Sequence, residues 1–213
     1  MKYRYSHIIW DWNGTLFNDV NWCNKVINTM LSSREMKTLR DISEYRAVFC
    51  FPIIDYYRNV GFDFSIEPFE DLAEEFMRLY RSNNNGNCKL FPNTLSVLEC
   101  IRNANIKQVL LSASYMTDLL SQISEFNISD YFDEILALTD IYAKSKIDIG
   151  MEYISRKGIT NAVLIGDSKH DYEVAEALSV DCLLIPNGHQ SRETLLTCGA
   201  PILNDIADVV DFV

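Results

Sequence analysis

Apolar residues fall along the chain in two alternating rhythms. Short continuous runs occur at His7-Ile8-Ile9-Trp10, Gln108-Val109-Leu110-Leu111, Ile135-Leu136-Ala137-Leu138, Ala162-Val163-Leu164-Ile165 and Cys182-Leu183-Leu184-Ile185. Runs of this kind suit parallel strands covered on both faces. Between them, apolar positions recur at the spacing of one helix face. Leu95, Leu98 and Ile101 do so after Pro92-Asn93, and Leu119, Leu120, Ile123 and Phe126 after Ser112-Ala113-Ser114, which reads as a turn. Ile147, Met151 and Ile154 follow the same rule, as do Val174, Ala175 and Leu178. Strands alternating with helices of this length predict βαβ units and an α/β fold, a doubly wound parallel-sheet, Rossmann-like core.

Residues 17–86 break that alternation. Trp22, Val26 and Met30 mark one helix, and Phe69, Leu72, Phe76 and Leu79 mark another with Pro68 near its start. The aromatic stretch from Tyr45 to Tyr57 reads as partly helical, and no strand is evident. The polar run from Ser82 to Asn87 reads as a hinge. The expected organisation is a core of residues 1–16 and 87–213, with an α-helical domain of residues 17–86 inserted after the first strand.

Composition narrows the function classes. The chain has 213 residues, 48% hydrophobic and 23% charged, an ordinary folded composition. Its formal net charge of −11 forfeits the electrostatic term that drives binding to nucleic acid or anionic membranes. The longest apolar run, Ala47 to Phe51, is far short of the ~20 residues that span a bilayer. The start of the chain shows no signal-peptide pattern, so a soluble cytoplasmic protein, monomeric or weakly self-associating, is expected. The cysteines at 23, 50, 88, 100, 182 and 198 form no CxxC pair and read as buried small hydrophobes.

In an open parallel sheet, ligands bind outside the carboxyl ends of the strands. Those ends carry Asp11-Trp12-Asn13-Gly14-Thr15, then Ser112-Ala113-Ser114, then Lys144-Ser145-Lys146 ahead of the fourth strand, and Gly166-Asp167-Ser168-Lys169-His170-Asp171 after it. Asp11 and Asp167 can share a divalent cation, because Mg²⁺ favours one or two carboxylates with waters and a phosphate oxygen. Ser112 and nearby backbone amides can hold phosphate oxygens, and a lysine supplies further positive charge. A carboxylate facing the phosphorus could then attack it in line. Neither GxGxxG nor GxxxxGK[ST] occurs. A receiver-type signalling domain leaves no place for the helical insert.

At these residues the sequence resembles the haloacid dehalogenase-like hydrolases, in their phosphoglycolate-phosphatase-like branch with a helical cap. The family's DxDGT appears as Asp11-Trp12-Asn13-Gly14-Thr15, its strand-end hydroxyl as Ser112, its lysine as Lys146 with Lys144 as the alternative, and its GDxxxD as Gly166 to Asp171. Leu90-Phe91-Pro92-Asn93-Thr94 is similar to the return into the core. The resemblance implies a Mg²⁺-dependent phosphatase of a small phosphorylated metabolite, with Asp11 as nucleophile. It implies metal ligation by Asp11, the backbone carbonyl of Asn13, Asp167 and Asp171. Thr15, Ser112, Ala113 and Lys146 would hold the phosphoryl group.

One departure matters. The family's second aspartate, its general acid and base, is Asn13 here. An amide cannot protonate a leaving alkoxide, and that help is typically worth about 10²–10⁴-fold. Asp19 and His170 are candidate substitutes by proximity in sequence. The alternative is a weak or silent member that binds a phosphorylated metabolite or a protein partner. Arg46, Lys37 and Arg58 are the candidate anion contacts of the cap, whereas Phe49, Phe51, Tyr56 and Tyr57 read as its core.

Overall fold

The fold follows from strands whose alternate residues face two different helical layers. The structure is a computed structural model that describes residues 4–82, 86–139 and 145–213. The chain runs through β1 (His7–Trp10), β2 (Phe17–Asn18), α1 (Val20–Ser33), α2 (Ile42–Val48), α3 (Ile53–Asn59), α4 (Phe69–Ser82) and β3 (Lys89–Leu90). It continues with α5 (Thr94–Asn103), β4 (Lys107–Tyr115), α6 (Met116–Phe126), β5 (Glu134–Leu138), α7 (Lys146–Lys157), β6 (Ala162–Gly166), α8 (Lys169–Leu178) and β7 (Asp181–Leu184). Five strands form a parallel sheet in the order β5-β4-β1-β6-β7. The chain builds outward on one side of β1 and then on the other, so the strand order reverses there, where an open α/β sheet opens a crevice.

Within β1, Ile8 and Trp10 join one core cluster and Ile9 the other. Leu110 opposes Val109 and Leu111 in the same way, and Val163 and Ile165 oppose Leu164. Helices α5 and α6 cover the first face through Leu98, Ile101, Leu119 and Ile123. Helices α7 and α8 cover the second through Tyr153, Val174 and Leu178. Both faces are dry, which is why these strands read as continuous apolar runs.

Three helix faces sit differently from the sequence reading. Leu95 is 50% exposed, Leu120 46% and Met151 50%. In α5 the buried stripe starts at Thr94 and runs through Val97, Leu98 and Ile101. In α6 it includes Gln122, because the buried Trp12 indole N–H needs an acceptor and donates to Gln122 Oε1 at 2.7 Å. In α7 it runs through Lys146, Gly150 and Tyr153, one helical face. A Cβ on Gly150 would lie 2.8 Å from a Leu178 methyl and 3.1 Å from one of Leu111. The glycine therefore lets α7 lie close to the sheet, and the same face turns Lys146 inward.

Two further differences concern loops. Ser112-Ala113-Ser114 is not a turn: β4 continues through it to Tyr115, with a register irregularity against β5 between Leu111 and Tyr115. The stretch read as strandless begins with β2, which pairs antiparallel with β3 where the chain leaves the sheet and returns. Helices α1–α4 lie between those two strands. Their interior, with Ile27, Met30, Leu31, Tyr57 and Leu72, is continuous with the first core cluster. The Ser82–Asn87 hinge falls partly outside the described residues, as does Lys144. All six cysteines are free, and Cys100 is exposed rather than buried. Among the described residues no helix is long and apolar enough to cross a membrane.

Replacing Gly150 by valine should lower the unfolding free energy by about 1–3 kcal/mol, the usual range for overpacking. Urea denaturation reads this directly. An unchanged midpoint would mean that α7 does not lie this close to Leu111 and Leu178.

Candidate active site

The loop after β1 is fixed by its backbone and by one large side chain. The Trp12 carbonyl accepts from the N–H groups of Thr15, Leu16 and Phe17 at 3.2, 3.0 and 2.9 Å. The Trp12 ring is fully buried and stacks on Phe17 with centroids 5.1 Å apart. Gly14 takes φ +79°, and a Cβ there would lie 2.4 Å from Asp167 Oδ2. Only glycine allows both the left-handed turn and that approach. Thr15, expected to contact phosphate, donates its hydroxyl to Asp11 Oδ2 at 3.0 Å and reaches Asp167 Oδ1 at 3.4 Å.

The loop after β6 brings in the other acids. Ser168 and Asp171 form a reciprocal capping box at the start of α8. Asp171 Oδ2 accepts from the Ser168 hydroxyl at 2.6 Å and from the Asp167 and Ser168 N–H groups at 3.2 and 3.1 Å. Its other oxygen accepts from Lys146 Nζ at 2.6 Å, and Lys146 also donates to Asp11 Oδ1 at 2.6 Å. Of the two lysines open in the sequence, Lys146 is therefore at the site.

Three buried carboxylates thus face one ammonium. Asp11, Asp167 and Asp171 offer oxygens that all lie within 4.8 Å of one another. Burial, then the Asp171 charge, outweighs Lys146 and raises the Asp11 pKa to about 6. Burial raises Asp167 to about 8, with Asp171 and Asp11 adding to it against the pull of His189. Asp171 goes the other way: burial would raise it, but Lys146 and Ser168 hold it below the usual carboxylate range. A set of hard oxygen donors, under-compensated by one lysine, fits Mg²⁺. Asp11 and Asp167 are the members that a cation would relieve. Asp171 is already held by four protein donors.

Asn13 is locked at both ends of its amide. Its oxygen accepts from the Ser114 hydroxyl at 2.7 Å, and its nitrogen donates to Asp19 Oδ2 at 2.8 Å. Asp19 also accepts from Tyr80 at 2.9 Å and pairs with His189 Nε2 at 3.1 Å. Burial would lower the His189 pKa, but the Asp19 charge and hydrogen bond, with Asp167 and Asp11, raise it to about 9. The other His189 ring nitrogen, Nδ1, lies 2.8 Å from the Tyr45 hydroxyl. The His189 N–H donates to Asp167 Oδ2 at 2.5 Å, and a Cβ on Gly188 would collide with that carboxylate at 2.0 Å. The structure thus places Asp19 against Asn13. His170 lies apart from it, with its ring stacked on Phe51 at 4.4 Å. The sequence reading missed His189, Tyr45 and Tyr80. His189 follows the end of β7, so the strand-end rule that found Asp11 and Asp167 also reaches it.

The insert and the core together line a chamber of about 290 Å³ around these groups. Ser112 and Ala113 line it on the core side. The Ser112 oxygen accepts the Ser114 N–H at 3.0 Å, which leaves its own proton to donate. Tyr56 and Tyr57 are core as read, with Phe49 packed against them, and together with Phe51 they also form part of the wall. Phe49 also stacks on His189 with centroids 4.9 Å apart. The three cations proposed as anion contacts do not line it. Arg46 donates to the Gly188 and Asn187 carbonyls at 2.8 and 2.7 Å, strapping the insert to the core. Arg58 pairs with Asp55 at 2.5 Å, and Lys37 lies 3.7 Å from Glu44.

Residues 8–185 match the family model described as Haloacid dehalogenase-like hydrolase. No curated protein matches the chain. Among solved structures, a haloacid dehalogenase-like family hydrolase from Streptococcus pneumoniae superposes with a TM-score of 0.84 at 16% identity, covering 98% of each chain. A protein from Clostridium acetobutylicum described as a predicted phosphatase gives 0.79 at 20% identity over 97% of each chain. One from Haemophilus somnus described as a predicted phosphoglycolate phosphatase gives 0.78 at 17%, over 98% of this chain and 97% of that one. At these identities the likeness is one of fold.

The carboxylate electrostatics set a pH dependence. Asp11 and Asp167 titrate in the folded protein near 6 and 8, above the unfolded value near 3.8. Between those limits the folded state holds protons that the unfolded chain has released, so stability falls as pH rises. His189 acts in the same direction, because its contribution is full below its unfolded value of 6.5 and is lost as pH passes about 9. In chelator, the melting temperature should therefore fall between about pH 5 and about pH 8. The increment produced by Mg²⁺ should grow over the same interval, since binding requires the protons to leave. Thermal denaturation at both pH values, with chelator and with Mg²⁺, checks the sign. A Mg²⁺ increment that shrinks with pH would contradict this electrostatic account.

Proposed function

The chain belongs to the haloacid dehalogenase-like hydrolases, and from that footing we propose that it is a Mg²⁺-dependent phosphatase of small phosphomonoesters. The observation that carries this reading is the placement of Asp11. Its carboxylate stands at the end of β1, held between the Lys146 ammonium and the Thr15 hydroxyl, with Asp167 beside it, and it lines the chamber.

Asp11, Asp167 and the Asn13 backbone carbonyl are the groups that would hold Mg²⁺, with Asp171 supporting them. The bound ion supplies positive charge against the phosphoryl oxygens and lowers the raised carboxylate pKa values. The chain's own residues do the rest. Ser112 donates its free hydroxyl proton to a phosphoryl oxygen, the Ala113 N–H a second hydrogen bond, and Lys146 its charge. Asp11 attacks phosphorus and becomes an aspartyl-phosphate, which water then hydrolyses. Asp171 keeps Lys146 in position through their 2.6 Å contact. Helices α1–α4 act as a cap that excludes bulk water and contacts the leaving group.

Asn13 favours a second reading, a silent member that binds phosphorylated ligands without turning them over. Its amide is held by Ser114 and Asp19 and has no proton to give at the leaving oxygen.

Phosphate release from para-nitrophenyl phosphate decides between them. The expected outcome is activity that disappears in chelator and falls on the order of 10³-fold or more in Asp11→Asn. No release above that variant, from folded protein with Mg²⁺ bound, would leave the silent binder standing. Asn13→Asp should raise turnover of an alkyl phosphate by about 10–10³-fold, below the full range of about 10²–10⁴ for acid–base help. The reduction arises because Asp19 meets the new carboxylate where the amide now donates at 2.8 Å.

A further inference from the structure

The leaving-group side of the chamber has a composition that selects chemistry. Its wall is ring-lined: Tyr45, Phe49, Phe51, Tyr56, Phe76 and Tyr80 all contribute. Several of these rings pack edge-on or tilted, as with Tyr45 and Tyr56 at 5.9 Å and Phe49 and Tyr56 at 5.1 Å, and Phe76 stacks on Tyr80 at 6.1 Å. Among the described lining residues, Lys146, His170 and His189 are those that can carry positive charge, and there is no arginine. Lys146 is held by Asp11 and Asp171, and His189 by Asp19. The His170 ring lies flat on Phe51. The lining acid Asp118 is itself paired with Arg81 at 2.7 Å. A leaving group that carried a carboxylate or a second phosphate would thus meet no free ammonium or guanidinium among the described residues, the stacked His170 ring being the one cation-forming group without a carboxylate partner, an unfavourable placement.

Asn13 imposes a second, independent constraint. Because it cannot protonate the departing oxygen, that oxygen must leave bearing its charge. A phenolic oxygen has a pKa of about 10, whereas an aliphatic alkoxide lies close to water at about 15.7. The bare anion is accessible to the first and not to the second.

Resting on the phosphatase reading above, we propose that the substrate class is aryl phosphates, monoesters whose leaving group is an uncharged aromatic alcohol seated against the ring-lined wall. An apolar cavity of about 150 Å³ already holds a benzene ring, so a chamber of about 290 Å³ accommodates ring and phosphoryl group together. Tyr56, whose buried hydroxyl has no partner among the described residues, is a wall group with a hydrogen-bond valence left for a polar substituent on the ring. In the first step an Asp11 oxygen bonds to phosphorus as the bond from phosphorus to the phenolic oxygen breaks. The electron pair stays on that oxygen, which departs as a phenolate and takes its proton from solvent after release. Water then attacks phosphorus, the Asp11 carboxylate departs with the bonding pair, and the surplus proton of the water remains on the phosphate.

The test separates the wall from the leaving group. With Mg²⁺ saturating, kcat/KM is measured for phenyl phosphate, 4-carboxyphenyl phosphate, cyclohexyl phosphate and 2-phosphoglycolate. The carboxyphenol is the more acidic alcohol, so chemistry alone would make its ester the faster. The wall predicts the reverse, by at least about tenfold, the equivalent of one unpaired charge only partly desolvated. Cyclohexyl phosphate should fall at least about 10²-fold below phenyl phosphate, and Asn13→Asp should narrow that gap. Should that variant misfold, the wild-type series still decides. If 2-phosphoglycolate or the carboxyphenyl ester equals or exceeds phenyl phosphate, the aryl assignment is overturned while the phosphatase reading stands. If no ester releases phosphate in a Mg²⁺-dependent way, both fall.

Discussion

The site depends on one electrostatic constraint: three carboxylates and one ammonium are buried together, and the ammonium is shared by only two of the acids. Lys146 binds Asp11 and Asp171 at 2.6 Å each, while Asp167 relies on the His189 N–H and a long contact from Thr15. Buried charges persist only when paired and hydrogen-bonded. Much of the local architecture serves that need. The capping box of α8 fixes Asp171, the Gly150 face of α7 turns Lys146 inward, and Gly14 and Gly188 let two backbone segments close on Asp167. The residual imbalance leaves Asp11 and Asp167 with raised pKa values.

The same crowding explains why an amide at position 13 is stable. Asp19 is buried, and its Oδ2 lies 2.8 Å from the Asn13 amide nitrogen. A carboxylate at that position would face another carboxylate at hydrogen-bond distance, and one of the two would have to remain protonated. Asn13 instead donates, completing a chain from Ser114 through Asn13, Asp19 and His189 to Tyr45. That chain crosses from the sheet to the helical insert. Together with the Arg46 strap on Gly188 and Asn187 and the Phe49–His189 stack, it couples the chamber wall to the loops that carry Asn13 and His189. The proton-inert amide at position 13 and the aromatic wall are therefore parts of one hydrogen-bonded arrangement.

Residue order alone determined the doubly wound α/β core, because strands covered on both faces must be apolar throughout and helices between them must show one apolar face. It also singled out segments that the fold brings together, since a parallel sheet presents its loops at the carboxyl ends of its strands, and Asp11, Lys146, Asp167 and Asp171 meet there with Ser112 near the end of β4. Tertiary structure decided what no local rule encodes. The outward positions of Leu95, Leu120 and Met151 follow from which neighbour each helix meets, including an indole that needs Gln122 and a helix that must lie close at Gly150. The Asp19–His189 pair joins residues 170 positions apart in sequence. The cations of the insert, equivalent as charges along the chain, became a strap at Arg46 and surface ion pairs at Arg58 and Lys37. Local pattern fixes the kind and order of the main strands and helices. The partners of a buried charge are chosen by distance across the folded core, and only the assembled chain has that distance.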